Sequence, residues 1–216
     1  MNTDSKQFLL LVAALSMVTF GQAAEPKALY ANTFDMVTVG PLPEEFLVID
    51  GAFAVKEDGG NKFIELPGAP LDTFRLLYGP TTNFNVAASA KILGTAKGRR
   101  FPTFAVGLNG VGGYRLQVSP AKKMLELYKG DDLLKGVAYE WKSGEWTQLR
   151  LEMKKAGEGK FVLQGTASAK SETEPKEPQL TFEANATPSN GRPSVWGSPY
   201  SGTPIWFDDL SLSVSK

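Results

Sequence analysis

Cysteine and histidine are both absent from the 216 residues. Without histidine, Ser-His-Asp and Cys-His catalysis and the usual zinc sites are excluded. Acid–base chemistry would fall to Asp, Glu, Lys or Tyr. Without cysteine there are no disulfides and no thiol to carry a lipid after a leader sequence. A domain of this size buries a full core without such staples. An excess of one charge is also missing. Lys+Arg and Asp+Glu each number 23, so no pull toward nucleic acid or an anionic membrane follows.

Long apolar runs are missing too, except at the start. Met1–Gln7 carries Lys6 and Asp4, Phe8–Phe20 is uncharged and apolar, and Gly21 and Ala23 are small residues spaced for cleavage after Ala23. That layout predicts a signal peptide over residues 1–23 and an exported mature chain from Ala24, since the run is short for a membrane span. The remaining residues suit one domain, 24–216.

What the rest of the chain has is alternation. Apolar residues recur with period two between turn residues, and no long stretch holds period 3.6, which predicts an all-β domain. Phe84, Val86, Ala88, Ala90 and Ile92 share a face, as do Phe104, Val106 and Leu108. So do Tyr114, Leu116 and Val118, then Leu125 and Leu127, then Leu149, Leu151 and Met153. Asp50-Gly51 reads as a hairpin turn between flanking strands. Residues 186–199, rich in Pro, Gly and Ser, read as a loop. The spacing predicts about thirteen strands in a two-sheet antiparallel jelly roll.

The closing strand, Pro204–Val214, organises the rest. Strict alternation puts Trp206, Asp208, Leu210, Leu212 and Val214 on one face and Phe207 and Asp209 on the other. Trp206 is therefore expected in the core. A carboxylate on that apolar face must be paired, hydrogen-bonded or metal-bound.

The outward positions of the central strands carry Arg115, Gln117, Glu126, Tyr128, Gln148 and Arg150. If those strands share a sheet, the set makes a polar groove suited to sugar hydroxyls. The alternative is an ordinary solvated face with cross-strand ion pairs. Trp196 and Tyr200, assigned to the Gly/Pro-rich loop, are further ligand candidates because ordered loops carry recognition. Packing beneath that loop is the competing role.

Several short motifs occur in order. Phe34-Asp35 is followed by Gly40–Pro43, Gly51–Val55, Val106-Gly107-Leu108 and Gly113–Leu116. Gly144-Glu145-Trp146 with Leu149 and Leu151, and Phe207-Asp208-Asp209-Leu210, complete the series. The pattern resembles the concanavalin A-like lectin/glucanase superfamily, the laminin-G-like jelly rolls. It is also similar to the sandwich domains of secreted bacterial proteins related to 3-keto-disaccharide hydrolases. The resemblance implies one structural calcium near the chain ends, with Asp208 and Asp35 as donors. It also implies a carbohydrate or cell-surface partner. The superfamily's endoglucanases carry a Glu-x-Asp-x-x-Glu strand, which this chain lacks. The expectation is therefore a secreted, non-catalytic glycan- or surface-binding jelly roll. A carbohydrate-active enzyme and a structural or assembly domain are the alternatives.

Overall fold

The computed structural model describes residues 27–69, 72–173, 175–185 and 188–215. The expected leader, residues 1–23, lies outside them. The strands in chain order are β1 (Ala28–Asn32), β2 (Gly40–Pro41), β3 (Leu47–Asp50), β4 (Ala54–Asp58), β5 (Asn61–Leu66) and β6 (Phe74–Leu77). Next come β7 (Val86–Leu93), β8 (Thr103–Leu108), β9 (Tyr114–Ser119), β10 (Met124–Lys129) and β11 (Asp132–Ala138). The last are β12 (Trp146–Gly157), β13 (Lys160–Ala169), β14 (Leu180–Ala184), β15 (Ser194–Ser198) and β16 (Ile205–Val214). One 3-10 turn, Pro120–Lys122, links β9 to β10.

These strands form two antiparallel sheets, as the alternation predicts. Sheet A runs β14-β13-β12-β7-β16-β5-β4-β2, with β1 also against β16. Sheet B runs β11-β10-β9-β8-β15-β6-β3. The core lies between them, because each strand turns its apolar set inward and its polar set out. Ile92, Leu149, Leu151 and Phe207 of sheet A face this layer, as do Phe104, Val106, Leu116 and Leu125 of sheet B, and all are at most 1% exposed.

Three sequence-based expectations are corrected. Asp50-Gly51 is not a hairpin: β3 pairs β6 in sheet B, whereas β4 pairs β5 and β2 in sheet A. The chain changes sheets there. Gly51 takes a φ of 104°, and the Asp50 carboxylate is held by Arg75. The turn at Asp58–Asn61, also read from the sequence, does join a hairpin, β4 to β5. Second, the stretch expected as a loop contains β15, which sits inside sheet B between β8 and β6.

Third, the closing strand does not alternate throughout. The register of β16 against β7 shifts between Asp208, opposite Lys91, and Ser211, opposite Ser89. Two residues thus face one, which is a β-bulge, and Asp209 adopts a φ of 48°. The bulge marks a change of neighbour. Residues Ile205–Phe207 pair with β5, and residues Leu210–Ser213 pair with β1. Parity inverts across it, so Phe207, Leu210 and Leu212 all enter the core at 0% exposure. Trp206 and Asp208 turn outward instead. Trp206 stacks on Phe63, with ring centroids 4.2 Å apart, and donates its indole N–H to Glu65.

Candidate functional site on the outer face of sheet B

Strands β9 and β10 pair so that Tyr128 lies opposite Arg115 and Glu126 opposite Gln117. Both are outward pairs, so the structure brings these four residues together as expected. Two strands further on, β15 turns Ser194, Trp196 and Ser198 to the same side. Between them β8 offers only Ala105 and Gly107 beneath the indole. A Cβ on Gly107 would fall 2.4 Å from the Ser194 oxygen and 3.3 Å from the Trp196 nitrogen. Glycine there lets the indole lie flat across the strand, donating its N–H to Ser194 at 2.9 Å.

Trp196 is only 6% exposed, so a ligand does not stack on it directly. Its ring is covered by two guanidinium groups, with Arg115 Cζ 4.5 Å and Arg75 Cζ 5.3 Å from the centroid. Arg115 also lies 4.7 Å from the Tyr128 ring. Arg75 is bound by Asp50 through Nη2 at 2.6 Å and Nε at 3.2 Å. The row Tyr128, Arg115, Trp196, Arg75 and Asp50 therefore crosses sheet B. Stacked guanidinium groups are held in orientation and are weakly hydrated. Neither Arg75 nor Asp50 is among the site residues expected from the sequence. The outward position of Arg75 in the Phe74–Leu77 strand was the available signal.

Glu126 anchors the other end of the site. Its side chain is 3% exposed, which an outward position in a strand does not announce. Ser119 donates to it at 2.5 Å, Lys122 at 2.9 Å and Tyr128 at 3.0 Å, and Gln117 in turn donates to Ser119. Burial alone would raise its carboxyl pKa. The three donors more than offset that and hold it below the ordinary value. Tyr128 is pushed up, first by burial and then by the Glu126 carboxylate. Glu126 is therefore a fixed anion that orients Tyr128 and Lys122. A general acid would need the opposite shift.

Around this row lies an open groove of about 510 Å³, with Phe101, Thr73, Ser198 and Tyr200 along one side and Asp72 and Asp131 at the rim. Tyr200 is 38% exposed and sits in the turn after β15. Thr73 and Ser198 share a hydrogen bond of 2.7 Å. Rotatable hydroxyls, an amide and an exposed aromatic ring converge here.

Gln148 and Arg150 do not join this set. They lie on β12, in sheet A, on the opposite outer face of the sandwich. Gln148 borders a separate hollow of about 550 Å³ with Trp146, Lys91, Asn61 and Asp208. Arg150 lies 3.6 Å from Glu152 in an ion pair and is bordered by the Pro175–Pro178 loop.

Asp208 is also on the sheet A side. Asn61 donates to one of its oxygens at 3.0 Å and the Asp209 backbone N–H to the other at 2.7 Å. Burial raises its pKa, and these two bonds only partly counter that. Asp209 did not go to the opposite face: the bulge leaves its carboxylate in an ion pair with Lys91 of the same sheet. Asp35 lies in the exposed connection after β1, where Thr33 donates to its carboxylate at 2.8 Å and Lys62 to its carbonyl at 3.0 Å. Calcium takes six to eight oxygens. Among the described residues no group of three or more acidic side chains is placed to hold a metal. Asp208 and Asp35 each have their own protein donors.

No family model matches the chain, and no curated protein matches it in sequence. Solved structures do match in fold. The carbohydrate binding module CBM66 from Bacillus subtilis aligns over 78% of this chain and 95% of its own, at 12% identity and a TM-score of 0.53. The carbohydrate recognition domain of Emp46p covers 89% and 99%, at 10% identity and a TM-score of 0.58. Metal-free and potassium-bound forms of that domain match as well. The catalytic domain of a glycoside hydrolase family 131 protein from Coprinopsis cinerea covers 88% and 98%, at 10% identity and a TM-score of 0.54. These likenesses are of fold, a two-sheet antiparallel jelly roll consistent with the concanavalin A-like lectin/glucanase fold.

Proposed function

We propose that this protein binds carbohydrate in the groove on the outer face of sheet B, without cleaving it. The observation that carries this reading is the pre-ordered row of Tyr128, Arg115, Trp196 and Arg75, flanked by Gln117, Ser198 and the exposed Tyr200 ring. Fixed hydrogen-bonding edges beside an aromatic ring suit a polyhydroxylated ligand, because little side-chain freedom is left to lose on binding. Two of the structural neighbours are named as carbohydrate-binding domains. A third is a glycoside hydrolase, which keeps the enzyme reading open to test. Against cleavage stands the state of Glu126, whose oxygens are engaged by three donors. We further propose that the chain is exported after loss of residues 1–23, which amino-terminal sequencing of the protein from culture supernatant would verify.

The binding test is a glycan array followed by titration of the best ligand. Tyr200→Ala and Gln117→Ala should each weaken binding about tenfold, the loss of one good polar or stacking contact. Unchanged affinity in both variants would remove the site from sheet B. Release of new reducing ends by the wild type would replace binding with hydrolysis.

A further inference from the structure

The two arginines that cover Trp196 look alike but end differently. Arg75 spends its guanidinium on Asp50 through two hydrogen bonds. Arg115 has no carboxylate within salt-bridge distance and no hydrogen-bond acceptor among the described residues. Its Nε is buried without a partner. Arg115 lines the groove. A permanently charged group, half withdrawn from water and pinned between the Tyr128 and Trp196 rings, lacks an anion. Such a group is costly unless something of opposite charge completes it.

The nearby carboxylates do not do so. Glu126 is turned to Ser119, Lys122 and Tyr128. Asp50 is turned to Arg75. Asp131 and Asp72 are exposed at the rim, where solvent screens them. A planar guanidinium with free N–H groups matches the two oxygens of a carboxylate, or those of a sulfate ester, more closely than it matches one hydroxyl. Lys122, a groove neighbour, is held at Glu126 and cannot easily compete for the same anion.

We propose that the groove selects acidic glycans, with a uronate carboxylate or a sulfate ester of the sugar docking on Arg115. This rests on the reading of sheet B as a glycan site. The aromatic Tyr200 and the hydroxyls of Thr73 and Ser198 meet the sugar ring, and Arg115 meets its anion. Asp131, exposed at the rim, repels the same anion only weakly, and salt screens the attraction of Arg115.

The test uses the full chain and four probes: oligouronates, the same oligouronates methyl-esterified, sulfated oligosaccharides and their unsulfated parents. Titration calorimetry should show an anionic form bound at least about tenfold more tightly than its neutral counterpart, with the preference shrinking as salt is raised. The uronate and sulfate arms identify which oxyanion is taken. Arg115→Gln should abolish the preference, weakening the anionic forms more than the neutral ones. Asp131→Asn should strengthen it. Tyr200→Ala should weaken charged and neutral forms alike. Equal affinity for charged and neutral forms in the wild type overturns the acidic selectivity and leaves the glycan site standing. No binding of any probe overturns both. The wild-type comparison needs no variant, so a poorly folded Arg115→Gln would not rescue the proposal.

Discussion

The two outer faces of the sandwich each bury one carboxylate and carry one stacked tryptophan, yet they treat them oppositely. On sheet B, Glu126 receives three donors, one of them cationic, and its pKa falls. On sheet A, Asp208 receives two neutral donors, and burial keeps its pKa raised. Trp196 lies under two guanidinium groups, whereas Trp206 lies on Phe63 beside Trp146. Similar burial therefore produces a stabilising network on one face and a residual penalty on the other. What differs is the number and charge of the donors, which decides whether a buried ion stabilises.

The sharpest way to break this comparison is to remove each tryptophan. Trp196→Ala strips the shared platform from Arg75 and Arg115 and opens a void over Gly107. The expected cost is about 3–5 kcal/mol, read from urea unfolding, with loss of glycan binding. Trp206→Ala, partly exposed, should cost less than Trp196→Ala and leave binding unchanged. A larger loss for Trp206 would reverse the assignment of which face is built for recognition.

Replacing the carboxylates tests the electrostatic half. Glu126→Gln leaves Lys122 unpaired and turns an acceptor of three bonds into a partial donor. A loss of about 1–3 kcal/mol is expected. Asp208→Asn keeps the shape and removes a charge that burial disfavours, so it should be neutral or stabilising by up to about 1 kcal/mol at pH 7. Clear destabilisation by Asp208→Asn would mean that its charge is used, and melting with excess calcium against chelator would then show whether a cation uses it.

The smallest expected effect is in the pH dependence. Glu126 has a depressed pKa, so its stabilisation is present above the unfolded value and is lost as pH falls through the folded one. Asp208 has a raised pKa, so its contribution is present below the unfolded value and is lost as pH rises through the folded one. The gain from Asp208→Asn should therefore vanish in acid, and so should the loss from Glu126→Gln. Unfolding curves for both variants at pH 3 and pH 7 check the two signs together.

The same contrast explains what could be read from the sequence. Inward faces followed from alternation, so the core, the two-sheet architecture and the meeting of Arg115, Gln117, Glu126 and Tyr128 were legible. The bulge at Asp209 was not, because one extra residue inverts parity without a marker in composition. It moved Trp206 and Asp208 to the opposite face from the one expected. Strand β15 was hidden by its Pro- and Gly-rich flanks, although Ser194, Trp196 and Ser198 alternate with Val195 and Gly197. Gln148 and Arg150 were outward as expected, but alternation does not say which sheet a strand joins. The burial of Glu126 depends on Ser119, the last residue of β9, and on Lys122 in the turn that follows.

The pairing of β1 with β16 has a mechanical consequence. Ala28 lies opposite Ser213 and Asn32 opposite Leu210, and the Val214 N–H donates to the Lys27 carbonyl. Residues 27 and 215 thus leave the same end of one antiparallel ladder. Tension applied between them loads its rungs one after another, since the hydrogen bonds lie across the strands and along the pull. We expect β1 to peel away at low force as a separate early step in an optical-tweezers trace, with the groove of sheet B still intact. A single high-force rupture of the whole sandwich would contradict it. A cell or surface that held this domain by both ends could strip the first strand without disturbing the bound ligand.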